Sequence, residues 1–185
     1  MAFEKTQEEV VNEISQTLEQ VNSQDIDTFI ELLTSARRVF FVGVGRVLLS
    51  LEAIAKRLGH LGIQTVIVGQ ITEPAITSED MLVVGSGSGE SLFPLGIARK
   101  ARTFGAKIIH IGANPNSSMR EVTDLFIRIP VQTKLGLEGE IPSIQPMTSL
   151  FEQSLLLLGD IVALEIIREQ AIDMSSLWQY HANLE

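Results

Sequence analysis

Four short apolar runs, each closed by a glycine, constrain this chain more than any other feature. Residues 39–42 run into Gly43, 65–68 into Gly69, 81–84 into Gly85 and 107–111 into Gly112. A fifth run, 125–129, stops at Pro130. Runs that are apolar at consecutive positions, as 39–42 and 81–84 are throughout, suit strands covered on both faces. Helical spacing fills the intervals at about 48–61, 92–104 and 149–168. Strands alternating with helices predict an α/β fold: a five-stranded parallel sheet with helices on both faces. Right-handed crossovers then bring the loops that follow the strands to one edge. Ligands of such sheets bind at that edge.

Ahead of the first run, residues 6–33 carry two helical faces. Val10, Ile14, Leu18 and Val21 form one, Ile26, Phe29, Ile30 and Leu33 the other, with Ser23 or Asp25 as cap candidates between them. Two uses stand for this arm: cover for the core, or contact with another subunit. The expected organisation is one domain over 1–185, with residues 1–35 as a helical arm and 36–185 as the α/β core and tail. The connection 130–147 is long, polar and glycine- and proline-bearing, which points to a functional segment.

Composition removes several functions. The 185 residues include no cysteine, which excludes a disulfide framework, a thiolate zinc site and a cysteine nucleophile. A net charge of −9 without a basic stripe argues against nucleic-acid binding. No apolar stretch approaches the roughly 18 residues of a membrane span, and the polar start lacks a signal core. A cytoplasmic protein is expected. The three histidines lack metal-ligand spacing, so no metal is expected.

The loop Gly85-Ser86-Gly87-Ser88-Gly89-Glu90-Ser91 follows a strand and opens a helix. Glycines permit close backbone approach to an anion, and first-turn amides carry partial positive charge. Hydroxyls on Ser86, Ser88 and Ser91 add donors, which together suit a phosphate monoester. No P-loop lysine is present, which argues against nucleoside triphosphate hydrolysis. The first loop, Gly43-Val44-Gly45-Arg46-Val47-Leu48, only begins a dinucleotide fingerprint, since Leu48 stands where a glycine is required. Arg46 either holds ligand oxygens or forms a surface ion pair. Lys134 either steers an anion or is a solvated loop lysine. Ser149-x-x-Glu152 reads as a capping box. His60 suits a helix C-terminus. His110, mid-run, reads as structural, and His181 lies in a tail that composition would leave frayed.

Taken together, Gly43-Val44-Gly45-Arg46, Arg57-Leu58-Gly59-His60-Leu61-Gly62, the loop 85–91 and Asn114-Pro115-Asn116-Ser117-Ser118 resemble the sugar isomerase (SIS) domain family. Ser143-Ile144-Gln145-Pro146-Met147, Leu150-Phe151-Glu152-Gln153 and the closing His181-Ala182-Asn183-Leu184-Glu185 narrow the similarity to the 6-phospho-3-hexuloisomerases. The resemblance implies a flavodoxin-like doubly wound sheet and interconversion of 3-hexulose 6-phosphate and fructose 6-phosphate without a cofactor. It implies a homotetramer whose active sites are completed by neighbouring subunits. It assigns Glu152 as base, with His181 and His60 as further catalytic groups. Gly45, Arg46, Ser86, Gly87, Ser88, Ser91 and Lys134 are expected around the substrate and its phosphate. A departure lies at Val47, where the family pattern Gly-Ala-Gly-Arg-Ser-Gly has a serine hydroxyl. Two alternatives remain: another aldose–ketose phosphate isomerase of the family, or a non-catalytic sugar-phosphate binder.

Overall fold

The computed structural model describes residues 2–134 and 136–184. Helices α1 (Ala2–Leu18) and α2 (Ser23–Ser35) form the arm. The cap of α2 is Asn22, not Ser23 or Asp25: its Oδ1 accepts from the amides of Gln24 and Asp25 at 2.8 and 3.4 Å. Asparagine ranks with serine and aspartate in that role, so propensity did not separate the three.

Strand β1 (Val39–Val42) pairs with β2 (Thr65–Ile67) on one side and β3 (Met81–Gly85) on the other. Strands β4 (Lys107–Gly112) and β5 (Leu125–Arg128) complete a parallel sheet in the order β2-β1-β3-β4-β5. Val39 and Phe41 enter a core with α2, α3 (Gly45–His60) and α5 (Ser149–Glu169). Phe40 and Val42 enter a second core under α4 (Leu92–Arg102) and the 3₁₀ turn Ser118–Glu121. Both faces of β1 are therefore buried, and this is why its sequence shows no alternation. Each such side chain contributes about 1.5–3 kcal/mol by leaving water.

Helix α3 begins at Gly45, three residues before the start that apolar spacing predicts, because a glycine that reads as loop is its first residue. Helix α4 ends at Arg102, two residues short of the predicted end. After α5 the chain turns at Ala171 and forms a 3₁₀ segment, Met174–Tyr180, against α3. Among the described residues no helix is long and apolar enough to cross a membrane.

At the amino edge of the sheet, Arg37 before β1 clasps Asp80 before β3. Arg37 Nε donates to Asp80 Oδ1 at 3.0 Å and Nη2 to Oδ2 at 2.7 Å. Oδ2 also accepts from the Thr77 amide at 2.7 Å and the Thr77 hydroxyl at 3.0 Å. Burial pushes the Asp80 carboxyl up, but the hydrogen bonds from Arg37 and Thr77 outweigh it and hold the group below its usual range. At the carboxyl edge the strand order reverses between β1 and β3. The chain leaves β1 for α3 on one face and β3 for α4 on the other, opening a crevice between the two loops.

Candidate active site

The loop after β3 is tied down from behind. The Ser86 amide donates to the Ile111 carbonyl at 3.1 Å, and the amides of Ala113 and Asn114 donate to the Gly87 carbonyl at 2.9 and 3.1 Å. Asn114 Nδ2 donates to the Ser88 carbonyl at 3.2 Å. His110 Nε2 lies 2.9 Å from the Ser86 carbonyl. Burial pushes His110 down to about 4, so near neutral pH the imidazole is uncharged and Nε2–H is the donor. Gly89, at φ 67°, packs where a Cβ would collide with Ser117 Oγ. The loop carbonyls thus face backward. The amides of Gly87, Ser88 and Ser91 have no acceptor among the described residues. Together with Ser91 at the N-cap of α4 they form an anion-binding helix start.

The three serines shape the loop as well as lining it. Ser86 Oγ accepts from the Gly89 amide at 3.1 Å and lies 3.3 Å from Ser91 Oγ, and Ser88 Oγ accepts from the Glu90 amide at 3.2 Å. Glu90 turns away and accepts the Ser118 amide at 2.6 Å.

Across the crevice stand the starts of α3 and α5. A Cβ on Gly85 would lie 2.8 Å from Val47 Cγ1, so only glycine lets α3 seat against the root of the loop. Val47 therefore holds packing contact at the position where it departs from the resembled pattern's serine. Phe151 faces Gly87, its ring 3.8 Å from where a Cβ would sit. The next residue, Glu152, is buried and forms an ion pair from Oε2 to Arg46 Nε. Thr148 Oγ1 donates to Glu152 Oε1 at 2.9 Å, and Ser50 Oγ donates to the Glu152 carbonyl at 3.0 Å.

Two expectations change here. The capping box does not form: Thr148 occupies the N-cap, and the Glu152 carboxylate is held by Thr148 and Arg46 instead of by a cap amide. Of the two uses of Arg46, the structure realises an ion pair, but its partner is the candidate base. The Arg46 side chain is 65% exposed while that of Glu152 is 9% exposed. Both Nη groups of Arg46 are without an acceptor among the described residues, free to meet a ligand. Gly45, the first residue of α3, is exposed beside them.

His60 and His181 do not join this constellation within one protomer. Fourteen helical positions separate Arg46 from His60, about 21 Å along the axis at 1.5 Å per residue. His60 lies near the opposite edge, stacked on His181 with ring centroids 5.4 Å apart, and Trp178 packs on His181 at 5.2 Å. Burial, then the charges of Arg57, Lys56 and His181, push His60 below its usual value. His60 Nε2 is buried without a hydrogen-bond partner among the described residues. Lys134 is exposed in the connection after β5, and no ion pair among the described residues links it to the loop. Glu185 lies outside the described residues. Among those described, no group of three His, Asp or Glu is placed to hold a metal ion.

No sequence pattern singles out Thr148, which precedes the serine read as the cap. Asn114 likewise carries no role of its own in the sequence, although the Asn-Pro-Asn stretch around it belongs to the family resemblance.

The SIS domain family matches residues 32–157 of the chain. The chain is 35% identical to the 3-hexulose-6-phosphate isomerase of Bacillus subtilis over 177 residues, 96% of each protein. It is 33% identical to the 3-hexulose-6-phosphate isomerase of Mycobacterium gastri over 176 residues, 95% of this chain and 88% of that one. A crystal structure of a Methanococcus jannaschii protein, from which a molecular function of 3-hexulose-6-phosphate isomerase was inferred, superposes with a TM-score of 0.86 at 30% identity. That match covers 98% of this chain and 99% of the other. The matched residues run from the end of α2 to the first half of α5 and so include the sheet, the crevice and the glycine–serine loop; this chain belongs to the SIS domain family.

Proposed function

We propose that the protein interconverts 3-hexulose 6-phosphate and fructose 6-phosphate through a 2,3-enediol. The observation that carries this is a buried carboxylate, Glu152, paired with Arg46 directly across the crevice from a helix-start anion site. The phosphate is held by the amides of Gly87, Ser88 and Ser91 and by the serine hydroxyls. Such charge-assisted hydrogen bonds contribute about 1.5–3 kcal/mol each. Glu152 takes the proton from C3 of fructose 6-phosphate. The C–H electron pair forms the C2–C3 double bond and negative charge develops on O2. The Nη groups of Arg46 donate to that oxygen. The O3 hydroxyl proton passes to O2, and Glu152 returns the carbon proton to C2 as the O3 electron pair forms the carbonyl at C3. The names of the relatives support the choice of sugar.

The test is turnover. Fructose 6-phosphate, incubated with this protein and a 3-hexulose-6-phosphate synthase, is expected to yield pentose phosphate. Stabilisation by phosphate without turnover would instead leave a sugar-phosphate binder. Location in the cytoplasm accompanies this proposal, and cell fractionation checks it.

We further infer a homotetramer with shared sites. Leu157, Ile161 and Leu164 form an exposed apolar stripe on α5 at helical spacing, and Leu49 on α3 is exposed as well. His60 and His181 lie too far from Glu152 of their own protomer to act there, so a catalytic role would come from a neighbour's copy. Mixing refolded Glu152→Gln and His181→Ala chains is then expected to restore activity above that of either variant. No recovery would confine each site to one chain.

A further inference from the structure

The helical arm reaches the site through one carboxylate. Glu13, on α1, accepts three hydrogen bonds from a segment some 130 positions away. The Ile144 amide donates to Oε1 at 2.6 Å, and Ser143 Oγ and Gln145 Nε2 donate to Oε2 at 2.8 and 3.0 Å. Ser143 Oγ in turn accepts the Gln145 amide at 3.0 Å, so the turn closes on itself around the clamp. Burial alone would raise the Glu13 carboxyl, but the donors at Ile144, Gln145 and Ser143 outweigh it and hold the group below the usual carboxylate range.

The backbone just beyond the clamp is strained. Met147 is at φ 57°, in the left-handed region that a non-glycine side chain rarely enters. The residue is 95% exposed, so packing does not compensate for that conformation. Strained backbone persists only where its surroundings over-determine it. Upstream, that restraint comes from Glu13. Downstream, the Ser149 amide bonds the Pro146 carbonyl at 3.3 Å. The residue after Met147, Thr148, is the one whose hydroxyl holds Glu152 Oε1.

We propose that Glu13 is a positioning residue: by clamping residues 143–145 it holds the strained turn at Met147 and thereby fixes Thr148 against the Glu152 carboxylate. This rests on Glu152 being the base. The long connection before α5 is then part of the machinery, and the N-terminal arm is needed for turnover as well as for burial.

The test uses Glu13→Ala and Glu13→Gln in the full chain with fructose 6-phosphate. For both, kcat is expected to fall at least tenfold while KM and the affinity for inorganic phosphate stay within threefold, because the phosphate loop is untouched. Adding Met147→Gly to Glu13→Ala is expected to recover kcat at least threefold, since glycine adopts the turn without the clamp. A purely structural Glu13 would lower the thermal midpoint and leave kcat of the folded fraction unchanged. If Glu13→Ala does not fold, Ser143→Ala/Gln145→Ala removes two of the three donors and leaves α1 intact, with the same expectation. Wild-type kcat in these variants, or an equal loss of kcat and phosphate affinity, would overturn the proposal. Full activity in Glu152→Gln would instead remove the base on which it rests.

Discussion

Among the described residues, two arginines pair with a buried carboxylate, and the pairs differ in how far the acid is satisfied. At the amino edge, both oxygens of Asp80 are taken by Arg37, and Oδ2 also accepts the amide and hydroxyl of Thr77. At the carboxyl edge, Glu152 has one donor on each oxygen, Thr148 and Arg46. A carboxylate accepts about four hydrogen bonds. Asp80 has no capacity left, while Glu152 can still take a proton or a ligand donor. The partners differ as well: Arg37 commits Nε and Nη2 to Asp80 and Nη1 lies 3.8 Å from Glu79, whereas both Nη groups of Arg46 are without an acceptor among the described residues. Saturation makes the first pair structural, and incompleteness makes the second one usable.

Exchanging amide for acid at each pair tests that contrast. Glu152→Gln keeps the shape and loses the proton acceptor. Turnover is expected to fall at least a hundredfold, the lower bound for losing a general base, with a thermal midpoint close to wild type. Asp80→Asn is expected to do the opposite. Breaking a buried, hydrogen-bonded pair whose arginine is partly exposed should cost about 3 kcal/mol, lowering the melting midpoint by about 6–12 °C. Activity of the folded fraction should remain. Differential scanning calorimetry beside a turnover assay reads both, and a Glu152→Gln variant that melts early but turns over normally would reverse the assignment.

A smaller effect sharpens the same distinction at the back of the phosphate loop. Buried His110 has its folded-state value lowered from 6.5 to about 4. As pH falls from 7.5 to 5 the unfolded chain takes up a proton that the folded chain refuses. Stability present above 6.5 is therefore lost on acidification, by about 2 kcal/mol over that interval. Urea midpoints measured across the range should show the loss in the wild type and a flatter profile in His110→Gln. Equal slopes would mean that His110 titrates freely in the fold.

Much of this arrangement is legible in the amino-acid order. Runs such as 39–42 and 81–84 are apolar throughout because helices cover both faces, and that makes the sheet readable. The loop 85–91 is readable because its glycines, its serines and its place between strand and helix are all local. Pairings across the chain are not. Arg46 and Glu152 are each recognisable, but the bond between them spans 106 positions and no local pattern encodes it. The same holds for Arg37 with Asp80 and for Glu13 with residues 143–145. The capping box fails because two adjacent residues, Thr148 and Ser149, compete for one cap and only packing decides. His60 and Arg46 read as one site, yet α3 is a single helix that carries them apart.

Proton exchange at the substrate carbon tests the central claim most directly. In D₂O, with fructose 6-phosphate alone, the wild-type protein should introduce deuterium at C3, followed by NMR, and Glu152→Gln should do so at least a hundredfold more slowly. Exchange by Glu152→Gln at the wild-type rate would show that another group removes the proton, and the assignment of Glu152 would fall.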